Sequence, residues 1–212
     1  RKEITSNDRG NHHLFTVSSF LSLTQKLGKT TMIRPSMQLV MYERSDAELV
    51  PQIDFVQKAG RVSFRAGAGK TIRDADFTER YNNYNKPVVP SGSIGNPDLK
   101  AERSFSYEGG ADWFLKDFLK LSGTFFQRYQ RRVIDYSTTS YADMPRKDNL
   151  VPGGVYALAK NVAELNTTGV EGEIQFSRMF DLRSRLTAGA GFVWLNSESS
   201  ESKPSFYISS HA

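Results

Sequence analysis

Several side-chain groups in this chain have the types that catalysis, metal binding or polyanion recognition would need. Glu171 and Glu173 are two positions apart. A carboxylate pair works as acid and base only where its surroundings push the two pKa values apart. On a strand, residues two apart share a face, and no apolar pocket surrounds this pair in the sequence. His12 and His13 are adjacent, so a strand would point them to opposite faces and they could not chelate one ion together. The run Ala66-Gly67-Ala68-Gly69-Lys70-Thr71 has the composition of a phosphate loop. It lacks the G-x-x-x-x-G-K-[ST] spacing, and no helical pattern follows it. Arg131 and Arg132 beside Tyr129 would anchor nucleic acid, but the 28 basic and 23 acidic residues are dispersed rather than gathered in a stripe. The net charge of +5 says only that anions are tolerated. With no Cys among 212 residues, disulfide scaffolds, thiol catalysis and thiolate metal sites are excluded together. No catalytic residue, metal, cofactor or nucleic-acid partner is expected.

The elements that would position any site are read from a period of two. Residues 104–115 are the cleanest case. Phe105, Tyr107, Gly109, Ala111, Trp113 and Leu115 line one face, and Ser104, Ser106, Glu108, Gly110 and Asp112 line the other. The same alternation runs through 15–24, 32–42, 48–56, 62–68, 119–125, 170–176 and 186–194. Eight strands are expected, with a ninth starting near Phe206; no run has the three-to-four-residue spacing of a helix. No stretch approaches the ~20 apolar residues of a membrane-crossing helix.

The connections alternate in length. Short ones fall at 27–30, 57–60, 115–118 and 179–182; the others fall at 43–48, 70–103, 135–166 and 196–205. In an antiparallel meander every second connection lies at the same end, so one end carries tight turns and the other mostly long loops. That asymmetry, with dyad-repeat strands of ~10 residues, characterises outer-membrane β-barrels. The competing architecture is a soluble β-sandwich, in which the apolar faces form a closed core. The polar faces carry a charge pattern: Arg61 and Arg65, then Glu108 and Asp112, then Lys120, Arg128 and Arg132, then Glu171 and Glu173. Cross-strand opposite charges are worth only ~0.2–1 kcal/mol each, but together they make a hydrated face suited to a barrel lumen or an internal plug.

The segment 70–103 closes with Asn96-Pro97-Asp98-Leu99-Lys100-Ala101-Glu102 immediately before Ser106-Tyr107-Glu108-Gly109-Gly110. Further on come Asn161 and then Thr168-Gly169-Val170-Glu171. In these boxes, and in the Glu79-Arg80-Tyr81 segment upstream, the chain resembles the TonB-dependent outer-membrane receptors of Gram-negative bacteria, most strongly over 60–195. Asn-Pro starts a turn, Pro97 fixes φ and Asp98 can cap locally. Asn96, Pro97, Asp98, Leu99 and Glu102 are therefore expected to be structural, ending a long loop and setting the register of the next strand.

The resemblance implies an all-β fold: an antiparallel up-and-down meander, with residues 1–212 forming part of a transmembrane β-barrel, eight to nine of about 22 strands. The plug domain and roughly four terminal strands would lie outside the chain. It further implies a receptor in the outer membrane that imports a scarce nutrient, a ferric siderophore before others, with energy from the TonB–ExbB–ExbD complex acting through the plug. Arg61, Arg65, Glu108, Asp112, Lys120, Arg128, Glu171 and Glu173 would face the lumen, and the alternate aromatic residues the lipid bilayer. Loop residues that could meet an anionic, aromatic ferric chelate are Arg73, Arg80, Tyr81, Tyr84, Lys86, Tyr141, Arg146, Lys147 and Tyr156. Haem is expected to bind less well, because no His lies between Ile72 and Asn96. Cobalamin, oligosaccharide or peptide import, or a small barrel acting as anchor or adhesin, remain the alternatives within the barrel reading.

Overall fold

The computed structural model describes residues 2–43, 46–181 and 183–200. The architecture is a meander of long antiparallel strands. The wall comprises β3 (Thr16–Ser22), β5 (Thr31–Tyr42), β6 (Glu48–Ala59), β7 (Val62–Arg73), β9 (Glu102–Lys116), β10 (Leu119–Ser140), β11 (Val155–Met179) and β12 (Arg185–Ser199), with the short β4 (Gln25–Leu27) continuing β3 along β5. Each wall strand pairs with its neighbour in chain order. The eight expected strands are these eight; the ninth, near Phe206, lies outside the described residues. The break between β3 and β4 has a local cause. Leu23 N–H donates to the Pro35 carbonyl, so Pro35 turns its nitrogen toward the same neighbour and has no N–H to continue the ladder.

Register fixes the two faces. Arg65 lies opposite Gly110, Ser63 opposite Asp112, Asp112 opposite Ser122, and Ser122 opposite Glu173. On that face Asp112 receives Arg65 at 2.6 Å, Lys120 at 3.4 Å and the Ser122 hydroxyl at 2.7 Å. Arg34 meets Asp54 on the same face at 3.1 Å. The other face exposes Ile53, Phe64, Phe105, Trp113, Phe125, Ile174, Phe192 and Trp194. No second sheet covers these residues among those described, so the closed apolar core of a sandwich is absent. The wall is an open section of a β-barrel.

The ends differ as the connection lengths require. Residues 28–30, 60–61 and 117–118 turn tightly at one end, where Phe180 N–H also donates to the Ser184 carbonyl; 46–47, 74–101 and 141–154 lie at the other. Strand boundaries differ from the sequence reading at several ends, β7 running to Arg73, β9 starting at Glu102 and β12 reaching Ser199, and most of all in β10 and β11. Residues 135–140 and 155–166, expected within a loop, continue β10 and β11. There the strands leave the alternating apolar face and are covered by loop residues, so period two loses its contrast. The segment 74–101, read as loop throughout, contains α1 (Phe77–Tyr81) and β8 (Gly92–Ile94), the latter pairing parallel with Tyr156–Leu158 of β11. Asp76 caps α1 through Thr78 N–H and Glu79 N–H, and Glu79 reaches back to Asp76 N–H; this reciprocal box is the signal that marks a helix start. Residues 2–14, not read as strands, form a hairpin of β1 (Lys2–Ser6) and β2 (Gly10–Leu14).

Candidate functional site

The buried apolar side chains gather at the long-loop end. Val89, Ile94, Met144, Leu150, Tyr156 and Leu158 form one cluster, with Tyr141 packed against it. Ala75, Leu99, Ile134 and Ala159 form another, with Tyr136 against it. Both combine residues of the segment 74–101 with residues of β10, β11 or their connection, so the two long loops fold together as a cap on the wall.

The Asn-Pro-Asp-Leu box ties this cap down. Asn96 donates from Nδ2 to the Ala159 carbonyl, and its Oδ1 accepts Asp98 N–H. Leu99 is buried, the Pro97 carbonyl accepts from Arg80, and Glu102 accepts Ile134 N–H at 2.6 Å. Asn161 completes the latch, donating to the Lys100 and Arg132 carbonyls while its Oδ1 accepts Lys100 N–H. Arg132, counted with the polar face in the sequence, instead sits where the β10–β11 register shifts, with φ 57°; bulges re-aim a strand in this way. Gly95 permits the close approach: a Cβ there would lie 2.4–2.5 Å from the backbone of residues 80–82.

The expected ligand contacts divide into two sets. Arg73 is bidentate to Glu79 at 2.9 Å and donates to Glu102 at 2.6 Å. The Glu102 hydrogen bond, aided by Glu79, raises its already high pKa. Arg80 is buried and spans the Pro97 carbonyl and Asp74 at 2.5–2.6 Å. Tyr156, read as a loop residue, lies in β11 and is 1% exposed. Tyr81 is also buried, its ring stacked flat on His12 at 3.5 Å. Arg80, Tyr81 and Tyr156 are thus buried inside the cap, whereas Arg73, expected in a loop, ends β7 and stays half exposed while ion-paired.

The second set lies further out. The Arg146 guanidinium stands 4.1 Å over the Tyr84 ring, and its Nη1 donates to the Tyr84 carbonyl. Burial raises the Tyr84 phenol above its ordinary pKa, with Arg146 opposing. The rings of Tyr81 and Tyr84 meet edge to face at 6.0 Å. Lys86 approaches Asp8 of the hairpin turn at 3.8 Å, and Lys147 stands 5.4 Å over the Tyr141 ring. The hairpin also braces the loop directly, as Asn85 N–H donates to the Asp8 carbonyl and Asn85 Nδ2 to the Asn7 carbonyl. A window confined to 72–96 therefore missed a histidine: His12 enters from elsewhere in the chain.

The residues expected on the polar face fall as follows. Arg65, Asp112 and Lys120 are the network described above. Glu108, Arg128, Glu171 and Glu173 share that face by register, with Gln175 donating to Glu173 at 2.7 Å. Arg61 sits in a tight turn, its guanidinium on the Leu115 carbonyl. A trio missed in the sequence lies at the loop end of the wall: Glu48 accepts from Lys70 at 2.7 Å and from Arg103. Its signal was a charge at the position where β7 and β9 should continue their apolar sets. Among the described residues, no group of three acidic or His side chains could hold a metal ion.

The sequence profile of the TonB-dependent receptor-like β-barrel matches residues 29–209. The chain belongs to this family. A comparison with curated proteins finds no match. Among solved structures, this receptor-family chain is similar to the siderophore receptor PirA from Pseudomonas aeruginosa, with TM-score 0.68 and 15% identity over 93% of this chain and 36% of that one. It is also similar to the ferric enterobactin receptor PfeA from Pseudomonas aeruginosa in complex with enterobactin (TM-score 0.63, 17% identity, 85% and 27% covered). The FrpB iron transporter from Neisseria meningitidis gives TM-score 0.60 and 14% identity, with 88% and 26% covered. The chain thus spans about a third or less of each of these, and at such identities the likeness is one of fold.

Proposed function

We propose that this barrel section belongs to an outer-membrane receptor that binds a ferric siderophore and imports it with energy delivered by TonB. The observation that carries the reading is the cation–aromatic surface of the cap, Arg146 over Tyr84 with Lys86 beside it, at the end opposite the tight turns. A ferric chelate already satisfies its metal, and an anionic aromatic one needs only cations and rings from the protein; Arg and Tyr are the types that dominate binding hot spots. TonB, with ExbB and ExbD, would act through a plug domain of the full receptor, against which Arg65, Asp112, Lys120, Glu108, Arg128, Glu171 and Glu173 would face.

The bilayer reading is supported by dimensions. From Trp113 to Phe105 the exposed apolar set of β9 covers about 26 Å of strand at ~3.3 Å per residue. At a tilt of ~40° that is about 20 Å of height, close to the ~25 Å apolar band of such barrels. Beyond Phe105 and Tyr129 the same face turns to Arg103 and Arg131.

Ferric chelate is favoured over haem. His12 and Tyr81, two side chains of the types that ligate haem iron, lie ring on ring at 3.5 Å with Tyr81 buried, and leave no gap for a macrocycle between them. The test is titration of the full-length receptor with ferric enterobactin and with haem. Submicromolar binding of the chelate, weakened at least about tenfold by Arg146→Ala through loss of one charged contact, is expected. A Soret shift at submicromolar haem, lost in His12→Ala or Tyr81→Phe, would reverse the choice.

A further inference from the structure

The backbone that carries Tyr84 and Lys86 takes its shape from the other long loop. Asn149 uses both Nδ2 hydrogens, donating to the Asn83 and Lys86 carbonyls at 2.9 Å each. Arg146 takes the Tyr84 carbonyl at 2.9 Å. Three carbonyls within four residues of one loop are thus held by side chains of the other. Asn83 sits in the left-handed region with φ 58°, which Asn tolerates better than other residues with a Cβ. Val89 then joins Leu150 in a parallel bridge, with Val89 N–H donating to the Asn149 carbonyl at 2.7 Å and Val151 N–H to the Val89 carbonyl at 3.3 Å.

Tyr156 closes the arrangement from within. Its hydroxyl accepts Val151 N–H at 2.8 Å and lies 3.0 Å from both the Val89 and Val151 carbonyls, to either of which its single hydrogen can donate. Its ring sits in the cluster that both loops build. One buried phenol therefore touches the backbone of both loops at the point where they bridge.

We propose that the two long loops form one preformed reader, not two independent arms, and that Asn149 and Tyr156 are its positioning residues. Neither side chain is presented for ligand contact. Each fixes the segment that presents Tyr84, Lys86 and Arg146. The part of this proposal that concerns affinity rests on the siderophore reading above; the coupling of the loops does not.

The test uses the full-length receptor and two variants, Asn149→Ala and Tyr156→Phe, the second of which keeps the ring in its cluster. Amide exchange in 84–91 and 147–151 is expected to speed up together in each variant, by about tenfold for loss of roughly one to two hydrogen bonds, with the amides of β9 and β10 unchanged. Exchange that rises in one segment while the other stays protected, or in neither, overturns the coupling. For binding, ferric enterobactin is the probe. A smaller competent fraction lowers apparent affinity in proportion, so the association rate should fall several-fold while dissociation holds. The reverse pattern would make Asn149 an ordinary contact and overturn its positioning role. If the wild-type receptor fails to bind the probe, the siderophore reading fails and the exchange data decide the coupling alone.

Discussion

The wall and the cap are held together by opposite means. In the wall, continuous antiparallel ladders carry the structure and the large apolar residues point outward, Phe64, Phe105, Trp113, Phe125 and Trp194 all being exposed. In the cap the loop backbone is irregular, and among the described residues the buried apolar side chains lie in it or on the ends of β10 and β11 that it covers (Ile134, Tyr156, Leu158 and Ala159), with Val40 of β5 apart. A sheet that closes on itself satisfies its polar backbone without a core. Irregular segments have no ladder, so they must build a small core and answer their carbonyls with side chains, as Asn96, Asn149 and Asn161 do. The Asn96–Glu102 box therefore lies where the ladder stops, while the Ser106–Gly110 and Thr168–Glu171 boxes lie within it.

The largest effect should come from testing the wall's outward face. Phe125 lies between Gly109 and Val170, mid-band; Phe125→Arg should destabilise the receptor in bilayers by about 2–4 kcal/mol, read by urea unfolding. Unchanged stability would mean that this face does not meet lipid.

Gly95→Ala should cost about 1–3 kcal/mol by overpacking, because the new Cβ meets backbone, not a movable side chain. The loss should appear as faster amide exchange over 74–101 with β9 and β10 unaffected. Loosening of the wall as well would mean that wall and cap are not held separately.

Asn161→Ala removes hydrogen bonds to Lys100 and Arg132, yet these lie near the surface where water can substitute. About 0.5–1.5 kcal/mol is expected, seen in the exchange of 98–102.

The smallest effect is in acid. Glu48, beyond the apolar band at the loop end of the wall, is held at about 2, chiefly by its hydrogen bond from Arg103 and then from Lys70, against the opposing cost of burial. A depressed carboxyl pKa contributes stability above its unfolded value and loses it as pH falls. Protection of the β6–β7 loop end should therefore decline between about pH 4.5 and pH 2, and Glu48→Gln should flatten that decline without touching the Asn149 contacts.

The barrel wall was legible in the sequence because period two is a local property: each residue declares its face relative to its immediate neighbours, and eight runs with alternating short and long connections order themselves into a meander. The same holds for the Asp112 network, since register along a meander follows once the tight turns are located. The family boxes were legible as words, and the local turn chemistry of Asn96 and Pro97 with them. The cap was not. Arg80 and Tyr156 have the residue types of ligand contacts, and nothing local distinguishes an exposed Arg from one buried between Asp74 and the Pro97 carbonyl. His12 lies 69 positions from Tyr81, so no spacing rule could bring their rings together. Asn149 answers two carbonyls more than sixty residues earlier. Strand pairing propagates from one residue to the next, so sequence alone determined the wall; contacts among irregular segments depend on where distant backbones end up, and only the tertiary structure decided those.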